Sequence, residues 1–186
     1  APLGVYLCIY LGALCSFLCD KVGPLALGGL TGFLPWIIMC GMHTAFAAFM
    51  TQSLADPGYA GLFRPALILH NMAEGGACLG VALRTKDAAL RSEALSIAFG
   101  CIVAGVSEPA IYGINLPRRK PMYGVMAGGA VGGVIAGALG CRAYVMGYST
   151  ILALPIFEAG MLAMLGAIVA AHEVSCAVAF VLGVED

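Results

Sequence analysis

Glu108 and Pro109 stand in the middle of an apolar run, Ala104-Gly105-Val106-Ser107-Glu108-Pro109-Ala110-Ile111-Tyr112-Gly113-Ile114-Asn115-Leu116. A carboxylate is expensive to hold in hydrocarbon, and a proline removes a backbone donor. A segment that keeps both points to a polar site built at membrane depth. A carboxylate there can accept hydrogen bonds from ligand hydroxyls such as those of a sugar. It can also act as general base for a hydroxyl that attacks phosphorus. The structural alternative is a carboxylate paired with another helix, or one that caps backbone donors after a break.

His43 is the second candidate, in Gly41-Met42-His43-Thr44. A lone histidine on an apolar face is ordinarily a satisfied core residue, but the adjacent glycine and the over-long apolar run around it favour a site equally. Together, His43 and Glu108 would hold one hydroxyl from two directions. Asn71 and Glu74 lie three apart on one helical face, beside His70. Asn71 either lines the cavity or bonds a neighbouring helix, and the structural role is favoured. Tyr112 and Asn115 are cavity-lining candidates whose alternative is packing within their own segment. His172 and Glu173 make the smallest claim on the site, and Glu158 marks a boundary.

These residues must be positioned by membrane-spanning elements. The 186 residues are 61% hydrophobic and 10% charged, with a mean hydropathy of +0.98. A soluble domain carries about 25% charged residues. The fold class expected is therefore all-α, a polytopic integral membrane protein with re-entrant helical hairpins. Spans are predicted over 1–19, 25–39, 65–83, 122–141 and 159–182. A turn at 41–43 leads to a second element ending at Leu54. Loops are expected at 56–64 and 84–93, and a broken or re-entrant element over 143–157, where Gly147, Ser149, Thr150 and Pro155 interrupt it. Residues 122–141 are dense in glycine, which lets backbones approach closely.

Basic residues flank residues 94–116 on both sides: Arg84, Lys86 and Arg91 before, Arg118, Arg119 and Lys120 after. Short cytoplasmic loops are rich in Lys and Arg. If both loops are cytoplasmic, the segment enters and leaves on one side, as a hairpin with its tip near residues 105–109. Irregular backbone at that depth is tolerated where it lines a cavity or is buried in protein, and broken helices of this kind hold substrates in transporters. The alternative is one straight span.

A net charge of −1 gives no case for nucleic-acid binding. The eight cysteines are scattered through apolar stretches without a CxxC pair or metal spacing, so they are expected to pack as small hydrophobes. No metal and no cofactor is expected. The chain opens like the middle of a longer protein.

Gly105 to Pro117 resembles the G-[IV]-[TS]-E-P-A-[IV]-[YF]-G signature of sugar-specific enzyme IIC. That is the membrane component of the bacterial phosphoenolpyruvate-dependent phosphotransferase system, in its glucose–glucoside superfamily. Gly41-Met42-His43 is similar to the family's G-[LM]-H motif. Asn71-Met72-Ala73-Glu74-Gly75-Gly76-Ala77 resembles its N-x-A-Q-x-x-A stretch, and Arg84-Thr85-Lys86-Asp87 its K-T-K loop. The continuation Asn115–Pro121 is most similar to the β-glucoside branch, with sucrose and trehalose members as relatives. Ser107 replaces the commoner Thr, and Glu74 stands where Gln is usual. Thr44 follows His43 where the β-glucoside branch often has Trp.

The resemblance implies a permease whose sugar is phosphorylated at C6 by a phosphocysteine on IIB, with Glu108 and His43 holding the sugar. Residues 1–186 would be the C-terminal, sugar-binding part of the IIC domain, with no soluble domain of their own. The implied partners are a β-glucoside, or sucrose or trehalose, the IIB and IIA domains, and the lipid bilayer. A homodimer through a scaffold half outside this sequence is implied as well. The location implied is the bacterial cytoplasmic membrane. Arg84, Lys86, Arg118, Arg119 and Lys120 are candidates for docking IIB, although simple topology signalling is the favoured reading of them. The rival function is an ion- or proton-coupled transporter in which Glu108 titrates and no phosphate is involved.

Overall fold

The computed structural model describes residues 22–184 together with Tyr6, Tyr10, Ala13 and Phe17. The span expected over 1–19 falls almost wholly outside the described residues, as do Cys8, Cys15, Cys19, Glu185 and Asp186. The chain is an all-α polytopic membrane protein. Helix α1 covers Pro24–Met39, and a 3₁₀ turn at Met42–Ala45 leads into α2, Phe46–Ala55. Helix α3 covers Phe63–Arg84, α4 Ala88–Phe99, α5 Lys120–Ala138 and α6 Met161–Leu182. Between α4 and α5 lie two π-helical turns, Gly100–Ala104 and Ala110–Asn115, and a 3₁₀ segment at Ile151–Gly160 precedes α6. Among the described residues, Phe63–Arg84, Lys120–Ala138 and the run Ile151–Leu182 are long and apolar enough to cross a membrane. The pair α1–α2, bent by 117°, makes a fourth if it counts as one broken span.

Local sequence explains the breaks. Pro24 opens α1, where its missing N–H costs nothing. Gly41 then takes φ 71°, a left-handed conformation that ends α1 and starts the turn carrying His43. Asp87 caps α4 by accepting a 2.9 Å hydrogen bond from the Ala89 amide. The charged loop expected over 84–93 is consequently shorter than its composition suggests. Helix α3 runs through Arg84, and α4 already includes Arg91 and Glu93. Arg91 reaches back to the end of α3, donating to the carbonyls of Ala82 (3.2 Å) and Thr85 (2.7 Å). Arg64, expected in a loop, lies in the first turn of α3 and is only 4% exposed.

Glycine sets the core. A Cβ at Gly132 would lie 2.6 Å from Ala171 Cβ, at Gly124 2.7 Å from the Ser175 carbonyl, and at Gly133 2.7 Å from Gly28 Cα. Thus α5 packs antiparallel to both α6 and α1, backbone against backbone. Helix α3 runs parallel to α6: a Cβ at Gly76 would strike the His172 carbonyl, and one at Gly80 would come within 2.5 Å of that of Cys176. Ser175 Oγ donates to the Ala73 carbonyl at 2.6 Å, and His172 Nδ1 to that of Met72 at 3.2 Å. His172 thus serves the α3–α6 contact. Helix α3 is buried on nearly all sides and forms the axis of the molecule.

Two segments stop short of crossing. After α4 the chain reaches Gly105 and folds back, so that Gly113 lies beside Ile97 and Glu93. The expected hairpin is therefore present, with both arms ending among Arg84, Arg91 and Arg118–Lys120. From the opposite end, residues 139–160 enter and return. Ala143 pairs with Ala60 just ahead of α3, and the Tyr144 amide donates to the Ile156 carbonyl at 3.0 Å. Pro155 and the non-helical Glu158 keep this element from continuing straight into α6.

Candidate functional site

The two re-entrant tips meet on α3. Asn71 Nδ2 donates to the carbonyl of Gly105 at 2.9 Å and to that of Ser149 at 2.9 Å. At 1.5 Å of rise per residue, Asn71 stands about 20 Å along the helix from Arg84 and about 12 Å from Phe63. The tip of the first hairpin therefore lies deep within the span. Gly105 has φ 76°, and a Cβ on it would be 2.6 Å from Thr150 Cγ2. Glycine is needed there for both reasons.

Both arms of the hairpin are wound wider than an α-helix. The Gly105 amide donates to Gly100 and the Leu116 amide to Ile111, each at 2.9 Å and five residues apart. Single π-helical turns of this kind are rare and occur frequently at functional sites. Pro109 opens the return arm with φ −62°, a position where its missing donor leaves nothing unsatisfied. This resolves the cost of a proline inside the apolar run. Glu108, one residue earlier, is exposed at the same break, while Ser107 is buried. The carboxylate is presented outward from the tip rather than enclosed by it.

His43 is half-buried in the turn after α1, and its Nδ1 is buried without a hydrogen-bond partner among the described residues. No hydrogen bond or ion pair joins it to Glu108 among those residues. Asn71 is buried, and its Nδ2 is engaged with the two tips. Asn115 is completely buried and donates through Nδ2 to Glu74 Oε2. It also accepts from Cys78 Sγ at 3.8 Å. Glu74 is therefore matched by the return arm of the hairpin, a partnership that sequence spacing cannot show. His70 Nε2 lies 3.8 Å from Glu74 Oε1. Tyr112 points away from this cluster and is 51% exposed.

The basic residues share one end of the molecule. Arg84 lies over the Phe180 ring at 5.8 Å, and Arg118 donates to the Gly113 carbonyl at 3.2 Å. Lys86, Arg119 and Lys120 belong to the same end. A cleft of about 430 Å³ flanks the meeting of the tips, lined by Val103, Ala104, Tyr148, Thr150, Leu152 and others. A second, of about 310 Å³, lies at the opposite end beside Tyr59 and Arg142. Among the described residues no group of His, Cys, Asp and Glu is arranged to hold a metal ion.

The chain is 36% identical over 188 residues to the PTS system β-glucoside-specific EIIBCA component of Bacillus subtilis, an alignment covering 100% of this chain and 30% of the relative. It is 32% identical over 145 residues to the arbutin-, cellobiose-, and salicin-specific EIIBC component of Escherichia coli, covering 78% of this chain and 30% of that protein. It is 36% identical over 132 residues to the sucrose-specific EIIBC component of Bacillus subtilis, covering 71% and 28%. The chain thus spans about 30% of the length of the curated relatives it matches. No family model matches it, and no solved structure does. With its Glu108 hairpin, its ordered motifs and these relatives, the chain belongs to the enzyme IIC family of the phosphotransferase system, in the glucose–glucoside superfamily.

Proposed function

We propose that this chain is the sugar-binding part of a IIC permease. It binds a β-glucoside at membrane depth and carries it inward, coupled to phosphorylation of the C6 hydroxyl by a IIB phosphocysteine. The observation that carries this is the hairpin: its arms begin at the basic end, and its tip, three residues before Glu108, meets α3 at Asn71, about two-thirds of the way along that helix from Arg84. The relatives named for β-glucosides and for arbutin, cellobiose and salicin support the substrate class. By the positive-inside rule the basic end faces the cytoplasm, in a bacterial cytoplasmic membrane crossed several times.

In this reading Glu108 accepts a hydrogen bond from a sugar hydroxyl, and the half-buried imidazole of His43 offers a second contact. In the transfer, the sugar O6 forms a bond to phosphorus as the bond from phosphorus to the IIB cysteine sulfur breaks. The thiolate stays on IIB, and the hydroxyl proton passes to Glu108. This chain supplies positioning and electrostatics; the phosphoryl group comes from IIB, itself charged through IIA. Arg84, Lys86, Arg118, Arg119 and Lys120 form the face on which IIB docks. The homodimer belongs to the same proposal, through parts of the protein outside this sequence.

The test uses membranes holding the full-length parent protein, the general phosphotransfer proteins and labelled phosphoenolpyruvate. β-Glucosides, sucrose, trehalose and glucose are compared. Label in a β-glucoside, abolished by Glu108→Gln in a protein that still folds, is the expected result. Sugar arriving unphosphorylated, with uptake collapsing when the proton gradient is dissipated, would instead establish a proton-coupled transporter.

A further inference from the structure

We propose that Asn71 is the positioning residue of the sugar site: one side-chain amide holds the two opposed re-entrant tips together and so sets where Glu108 stands. The proposal rests on the reading of Glu108 as a sugar ligand.

Three observations converge. First, the two acceptors of Asn71 Nδ2 belong to different segments, Gly105 on one tip and Ser149 on the other, each at 2.9 Å. Both N–H groups of the amide are thereby used, and two carbonyls that would otherwise be orphaned at membrane depth are satisfied. Second, the tips touch directly, since Gly105 leaves no room for a Cβ beside Thr150. Third, Asn71 projects from a fixed element. The neighbouring carbonyls of Met72 and Ala73 are bonded to His172 and Ser175 of α6, and Gly76 packs on the α6 backbone. Glu108 lies three residues past Gly105, with buried Ser107 between them. A displacement of the Gly105 carbonyl therefore carries the carboxylate with it. A residue that only stabilised α3 would have no reason to bond either tip.

The experiment uses the full-length parent protein reconstituted in lipid nanodiscs. Hydrogen exchange and the Kd for the sugar identified by phosphorylation are measured for the parent, Asn71→Ala, Gly105→Ala and Glu108→Gln. Gly105→Ala pushes the tips apart while leaving the Asn71 side chain itself unchanged. Both Asn71→Ala and Gly105→Ala should speed exchange at 105–107 and at 148–150 together, leave α5 and α6 protected, and raise the sugar Kd about tenfold, the factor expected when roughly one hydrogen bond of positioning is lost. Faster exchange at only one tip, or at neither, overturns the proposal. So does loosening of both tips with an unchanged Kd in a protein whose binding Glu108→Gln abolishes. A Glu108→Gln protein that still binds sugar overturns the reading of Glu108 beneath it, whatever Asn71→Ala does, and so the two failures are told apart.

Discussion

Glu74 shows what a single residue can do when its surroundings are buried. Family resemblance places a glutamine at this position, and the chain has a carboxylate. Its hydrogen-bond partner is Asn115 Nδ2 on the hairpin's return arm, and His70 Nε2, one turn earlier on α3, lies 3.8 Å away. Either a carboxylate or a carboxamide oxygen can accept from Asn115, so Glu74→Gln should hold stability within about 1 kcal/mol. Glu74→Leu strands a buried amide donor and should cost about 1–3 kcal/mol. Thermal unfolding in detergent measures the difference, and equal losses in both variants would show that Asn115 does not depend on position 74. The same logic applies to Glu108, where the neutral isostere keeps the shape and removes the charge. There the loss should appear in sugar phosphorylation and not in the melting temperature.

At the scale of elements, glycines decide which helices can touch. Gly80 of α3 and Gly132 of α5 face the α6 backbone and Ala171, with no space for a methyl group. Gly80→Ala and Gly132→Ala should each destabilise by about 1–3 kcal/mol through overpacking. A Cβ placed on Gly166 of α6 would meet nothing within 4 Å among the described residues. Gly166→Ala should be neutral or should stabilise by about 0.5–1 kcal/mol, because alanine loses less backbone freedom in a helix. A melting series across these three variants checks the contrast. The hairpin follows from the same physics in reverse. Gly105 adopts a conformation that other residues resist, and Pro109 restarts the helix where a donor is dispensable.

Across the whole molecule, polarity is distributed by end. The arms of the hairpin, the last turns of α3 and α6 and the first turn of α5 meet at the basic end, while residues 139–160 enter from the other. A cysteine introduced at Lys86 should react with a membrane-impermeant thiol reagent only from the cytoplasmic side. One introduced at Leu139 should react only from the outside, in a background with the native cysteines replaced. Labelling of both positions from one side would contradict two tips approaching from opposite faces.

The fold class, most spans and the hairpin were legible in the order of residues. Apolar length, charge placement and helix-breaking glycine and proline are local properties, and the membrane imposes them segment by segment. The break after Gly41 and the interrupted element around Ser149–Pro155 both followed from such signals. The extent of helix at 84–93 did not, because a charged sequence forms helix readily once Asp87 caps it and Arg91 bonds the end of α3. The partners of buried polar groups were likewise beyond reach. Asn71 bonds residues 34 and 78 positions away, and Asn115 bonds Glu74 across 41. Spacing along the chain carries no information about contacts made when separate elements pack, so only the tertiary structure could show that both re-entrant tips are held by one amide.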